Sequence, residues 1–286
     1  LKIEYRSVTL NINNIMRTLT RIFSRIFSLD GTSFSFTGIL NRYFLIIDSQ
    51  GDRAILNFEG GNVINNSGNE DMSKGSSLVR IGNDAVSATP ILNIKGGTFT
   101  QDNFIAVKVD KGFLNVTDGT INSKRSYAIE NWKTANIKGG TINGTVATWV
   151  YSGGAAESNL NISSGTVNGN VYSINYDSAE GKKAKTFITG GEITGELGVY
   201  GYNKGLIELA DKSTATIEVT GGTFDSKVSE EYYDTEKSEQ TQKNGKYVIG
   251  RNTKNDIAQV GDTTYATMKE AYAAQTKSGE PIVLLK

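Results

Sequence analysis

The fold class this sequence predicts is all-β: a right-handed parallel β-helix, or solenoid, with an amphipathic N-terminal cap and a small C-terminal α+β connecting module. Three observations predict it. First, a glycine returns in the same local setting at Gly61, Gly97, Gly119, Gly140, Gly165, Gly191 and Gly222, at intervals of 36, 22, 21, 25, 26 and 31 residues. A short period that lengthens by insertion is how stacked coils absorb loops without losing register. Second, an apolar residue stands two positions after each glycine (Val63, Phe99, Ile121, Ile142, Val167, Ile193, Phe224). Another stands three before it (Phe58, Ile94, Val116, Ile137, Ile162, Ile188, Val219). Alternation on both sides of a glycine reads as strand, sharp corner, strand. Third, Asn57, Asn93, Asn115, Asn136 and Asn161 fill one position of successive repeats, giving way to Phe187 and Glu218. Stacked amides hydrogen-bond along the axis as a ladder; a row of ligand-binding amides is the rival reading.

The elements follow in chain order. Residues 1–30 form the N-terminal cap. Within them Ile15, Leu19, Ile22, Ile26 and Leu29 keep helical spacing, with Arg17, Arg21 and Arg25 four apart on another face. Such a helix covers the open end of a solenoid; lying on an anionic membrane surface is its alternative role. Residues 31–225 are the β-helix, its apolar columns stacking at the ~4.8 Å strand spacing, each fully buried member contributing roughly 1.5 to 3 kcal/mol. Residues 226–286 are a linker and the start of a following module. "DSKVSEEYYDTEKSEQTQKNGK" reads as a polar surface connection and "KYVIG" as a strand. Thr267 and Glu270 make a capping box for a short helix carrying Met268, Ala271 and Tyr272, and "PIVLLK" begins another strand. The L-x-x-L-x-L rhythm of leucine-rich repeats and the six-residue rhythm of left-handed helices are both missing.

Composition narrows function. Lys plus Arg is 30 and Asp plus Glu is 30, so no net field draws the chain to nucleic acid. With 0 His and 0 Cys the usual general base, nucleophilic thiol and commonest metal ligands are missing, and neither a metal nor a cofactor is expected. No apolar run approaches the ~20 residues of a transmembrane helix. The chain opens on Leu1 rather than Met, which reads as a processed or excised piece.

The string "IAQVGDTTYATMKEAYAAQTKSGEPIVLLK", following "GGTFDSKVSEEYY", resembles a junction found in large multi-module surface proteins of gut-type bacteria. There it links right-handed β-helix blocks built on GGTF or GGTI repeats, of the broad pectate-lyase-like superfamily; here the repeats cover residues 56–225. The resemblance implies an adhesin-like, secreted or wall-attached module that binds or spaces, its partner a polysaccharide or host glycan or another surface protein; the chain is expected to be a monomer.

Ligands in that superfamily usually lie along an outward face, which directs attention to the third strand of each coil. Counted from the repeat glycine, Ile105 and Val107, Tyr127 and Ile129, and Thr148 and Val150 fall inward. Ala106 and Lys108, Ala128 and Glu130, Trp149 and Tyr151, Ile174 and Tyr176, and Tyr200 and Tyr202 fall outward. Aromatic rings with polar tips grip sugars, so Trp149, Tyr151, Tyr176, Tyr200 and Tyr202 are the candidate glycan contacts, with Lys108 and Glu130 beside them. The competing reading packs these rings under a loop or, after a one-residue slip, in the core. As an enzyme the chain would be a polysaccharide lyase or a glycoside hydrolase using the same face. Lys108 and Glu130, with Asp102, Asp110 and Asp118 nearby in sequence, are the only charged constellation for it; a solvated ion pair explains the same residues. No catalytic residue is assigned. The lysines of "EGKKAK" at 180–185 read as a solvated loop.

Overall fold

In the computed structural model, the described residues are 27–29, 33–36, 45–47, 55–65, 77–82, 89–202, 205–209 and 213–285. The chain is a right-handed parallel β-helix of about 5 turns. Most of the N-terminal helix expected over residues 14–29 lies outside the described residues. Its last three residues, Phe27–Leu29, form a strand parallel to Ile55–Phe58.

Each coil lays down three strands, and the solenoid therefore has three faces. On the first, Leu56, Leu92, Leu114, Ala135 and Leu160 align in register, with Phe58, Ile94, Val116, Ile137 and Ile162 as a second column. All ten are buried. Between these columns the asparagine ladder forms as expected: each amide Nδ2 of Asn93, Asn115, Asn136 and Asn161 donates to the preceding Oδ1 at 2.8 Å. The corner glycines all have positive φ, from 77° at Gly97 to 126° at Gly222. At Gly140 the reason is close approach as well as φ, since a Cβ there would lie 2.7 Å from the Gly119 carbonyl oxygen of the coil below.

The second face, after the corner, carries a ladder that the sequence reading did not foresee. Asn122 Nδ2 donates to Thr100 Oγ1 at 2.9 Å, Asn143 to Asn122 Oδ1 at 2.7 Å, and Asn168 to Asn143 at 2.8 Å. Inside the third face runs a polar seam. Asn131, Thr148 and Ser158 share hydrogen bonds of 2.6 to 3.3 Å, and Ser173 pairs with Thr186 at 2.7 Å, all fully buried. Paired in this way, the groups avoid the desolvation cost of orphaned polar atoms.

The segment after Asp225 is not the open connection expected from its polarity. Lys246–Arg251 runs antiparallel to the last coil strand, Ala215–Phe224, and forms a hairpin with Ser238–Lys243. Val228, Tyr232 and Ile249 join the solenoid core, so this hairpin closes the C-terminal end. The turn is Asn244–Gly245 with φ of 52° and 80°, the backbone that an Asn-Gly pair favours in a tight hairpin. Beyond it, Ala258–Val260, Thr263–Tyr265 and Ile282–Leu284 form a separate three-stranded sheet against the helix Met268–Ser278. Thr267 caps that helix as expected, its Oγ1 accepting from Glu270 N at 3.3 Å. Arg251 ties the two parts together through paired contacts to the buried Asp256 at 2.7 and 2.5 Å.

Candidate functional site

The third face is built from Val79–Ile81, Val107–Val109, the end of Phe113–Asn131, the end of Thr134–Val150, Val171–Asn175 and Leu197–Tyr202. Val79, Val107, Ile129, Val146 and Val171 point into the core. One step along, the outward column reads Arg80, Lys108, Glu130, Ala147, Tyr172 in register. Two steps further, Trp149, Ile174 and Tyr200 align. The expected register of Trp149, Ile174 and Tyr200 therefore holds, for they lie outside the main core.

Three assignments change. Ala106 and Ala128, expected outward, belong to the main core, and Tyr127, expected inward, packs outside with Trp149. For Tyr127 and Ala128 the cause is a bulge: Tyr127 pairs with Thr145 but Ile129 with Val146, so Ala128 is an extra residue and the alternation reverses across it.

Outward does not mean exposed. Ala147, Trp149 and Ile174 form a second apolar cluster, with Tyr127, Trp132, Tyr172 and Tyr200 packed on it. Trp149 is only 5% exposed. Its ring stacks on Trp132 at 5.4 Å and 21° and meets the edge of Tyr127 at 5.7 Å, while its Nε1 is buried with no hydrogen-bond partner among the described residues. Burial also pushes the Tyr127 phenol up to about 12, with Glu130 adding to the shift. Only Tyr176 at 42% and Tyr202 at 39% remain exposed, and they stack on each other at 4.9 Å and 13°. The rings thus form a stack along the axis, not a row of open platforms.

A cleft of about 230 Å³ opens at the edge of this stack, lined by Arg80, Lys108, Asp110, Trp132, Tyr151 and Tyr176 together with Gly154 and Ala155. Tyr151 and Trp132 meet edge to face at 5.3 Å and 86°. The far wall is a glycine turn folded back on Tyr151: a Cβ on Gly154 would lie 2.5 Å from its ring. The next coil fixes that turn. Lys182 Nζ donates to the Gly154 carbonyl at 2.8 Å, and Asp177 accepts from Ser152 N at 3.0 and 3.1 Å. The Ser152 hydroxyl, also bonded to Asp177, lowers that carboxyl's pKa.

Charge in the cleft alternates in sign along a chain of contacts. Arg80 pairs with Asp110, and Lys108 Nζ stands 3.5 Å from Asp110 Oδ1 and 3.4 Å from Glu130 Oε1. Trp132 Nε1 donates to Glu130 Oε1 at 2.7 Å, and Lys108 Nζ lies 5.8 Å from the Trp132 ring centre. Glu130 is buried, and desolvation raises its pKa despite the opposing pull of Lys108 and the Trp132 N–H. A folded-state pKa above the unfolded one means stability that is full below the ordinary value of 4.5 and lost as pH rises through the folded value. Glu130→Gln, which cannot ionise, should therefore match the parent's melting temperature below pH 4.5 and exceed it increasingly above. Parallel pH series of thermal melts check this, and a gap that shrinks as pH rises would contradict it.

Of the seven residues singled out in the sequence, the cleft brings together Lys108, Tyr151 and Tyr176. Glu130 and Trp149 lie behind it and Tyr202 stacks at its rim. Tyr200 is apart, meeting the edge of Tyr172 at 5.0 Å and lining a different cavity with Glu196, Glu208 and Tyr232. Arg80, Asp110 and Trp132 complete the cleft. Trp132 escaped notice because it falls just past the strand counted from Gly119, while the register jump from Asn122↔Asn143 to Tyr127↔Thr145 brings its neighbour Trp149 earlier in the next coil. Among the described residues no group of three or more acidic side chains is placed to hold a metal ion. No helix among them is long and apolar enough to cross a membrane.

Comparisons with protein-family models, with curated proteins and with solved structures find no match to this chain.

Proposed function

We propose that this chain is an adhesin-like binding module of a secreted or wall-attached surface protein, and that it contacts a glycan on its third face. The observation that carries the reading is the cleft: two aromatic walls, Trp132 and Tyr151, meet a set of fixed donors and acceptors on Arg80, Lys108 and Asp110. An apolar wall beside hydrogen-bonding groups suits a sugar ring, which has apolar faces and a polar rim. The exposed Tyr176 and Tyr202 extend this surface along the axis, so a chain lying across the coils keeps contact beyond the cleft. The GGTF and GGTI repeats and the junction they lead into support the surface-protein setting.

A second reading, a polysaccharide lyase or glycoside hydrolase on the same face, is favoured by one feature, the raised pKa of Glu130 beside Lys108. Against it, a hydrolase sets two carboxyl groups on either side of one bond. Here Asp110 and Glu130 share one lysine and Glu130 is only 8% exposed.

A glycan-array screen of the chain, with newly released chain ends assayed in the same wells with and without calcium, separates the readings. Binding without new ends, weakened about tenfold or more in Tyr176→Ala, roughly 1.4 kcal/mol, is the expected result. New ends would transfer the assignment to the enzyme, and silence on both counts would reject glycan contact.

A further inference from the structure

The chain has 2 Trp, side by side on the third face, and only one has its indole N–H satisfied. Trp132 Nε1 donates to Glu130 Oε1 at 2.7 Å. Trp149 Nε1 is buried and meets no acceptor among the described residues, although the polar seam beside it, with Asn131, Thr148 and Ser158, is fully paired. A donor kept in that state points to an acceptor brought from outside the chain. Water fits the place poorly, because it needs two to four polar partners and the buried members of this cluster, Ala147 and Ile174, offer none. The cover over the indole is also uneven. Trp132 and Tyr127, both half-buried, lie flat on it and against its edge. Tyr176 and Tyr202, the exposed rings, instead lean over it at 50° and 60° with centres 6.1 and 6.2 Å away. A group from outside therefore reaches Trp149 past the two rings that extend the binding surface.

We propose that the third face selects an N-acetylated amino sugar, whose acetamido carbonyl accepts from Trp149 Nε1. The proposal rests on the glycan reading above and names the class of sugar. Three properties of the acetamido group match the place. Its carbonyl oxygen accepts without bringing a hydroxyl proton that would itself need a partner. Its methyl adds apolar area against Ala147 and Ile174. Its N–H sits on the sugar side, where solvent serves it. A plain hydroxyl in the same position supplies the acceptor but leaves its own proton unpaired in an apolar cluster, so the two sugars are told apart. Trp149 is then a specificity-determining residue as well as a support, and Trp149→Phe separates the roles, because it keeps a ring in the stack and removes the donor.

The probes are oligosaccharide pairs that differ only in acetamido against hydroxyl: oligomers of N-acetylglucosamine beside those of glucose, and of N-acetylgalactosamine beside those of galactose. The parent chain should bind the acetylated member of at least one pair about tenfold tighter or more, and Trp149→Phe should bind both members alike. In the parent, the acetylated oligomer should move the indole N–H resonance of Trp149 further than that of Trp132, a readout that does not depend on how well the variant folds. Equal binding within every pair overturns the proposal and leaves the glycan reading standing. So does a preference that survives Trp149→Phe, or a Trp149 resonance that stays in place while the oligomer binds. Silence across the whole array removes the glycan reading and this proposal together.

Discussion

Gly140→Val is expected to destabilise the solenoid by roughly 3 to 5 kcal/mol, enough to unfold a chain of ordinary stability. Two effects combine. The residue sits at φ 78°, where a β-branched side chain is strained, and its Cβ would stand 2.7 Å from Gly119 O and 3.1 Å from Asp118 C. Both contacts are backbone of the coil below, which cannot rotate away as a side-chain tip would. The coil above is coupled too, because Gly165 rests on the Gly140 carbonyl in the same way, at 2.8 Å from its Cβ position. Gly181→Ala separates the two effects: φ is 68° there, but nothing lies within 4 Å of the added carbon. It should cost only about 1 kcal/mol. Urea melts of the three chains test the corner, and a Gly140→Val midpoint equal to that of Gly181→Ala would refute the clash.

The corners were legible because glycine and the inward residues recur in every coil, so one error in register would have shown as a break in several columns. The asparagine ladder was legible for the same reason. What a column count cannot carry is a register shift between neighbouring coils. The extra Ala128 reverses the alternation locally and sends Tyr127 to the outer face, and the register jump before it hides that Trp132 neighbours Trp149. The C-terminal hairpin was missed for another reason. Its anchors, Val228, Tyr232 and Ile249, are too few and too irregularly spaced to make a pattern. The Asn244–Gly245 turn between Lys243 and Lys246 was the available signal, and surrounding polarity masked it.

The site shows the same limit more sharply, in the separation between facing outward and being exposed, and Trp149→Ala measures it. From the sequence this change should leave the fold intact and weaken binding. With the indole stacked on Trp132, edged by Tyr127 and 5% exposed, truncation instead opens a cavity beneath the ring stack and should cost roughly 3 to 5 kcal/mol. Trp149→Phe should lose much less, because it keeps the ring and removes an indole N–H that has no partner among the described residues. Tyr176→Ala is the opposite case. The ring is 42% exposed and rests mainly on Tyr202, so stability should fall by about 1 kcal/mol or less while glycan binding weakens. Thermal melts read alongside binding for the three variants distinguish support from contact. If Trp149→Ala melts with the parent, the indole is not the support described here. If Tyr176→Ala loses stability as Trp149→Ala does, the whole stack is structural, and the ligand contact narrows to Arg80, Lys108, Asp110 and Tyr151 in the cleft.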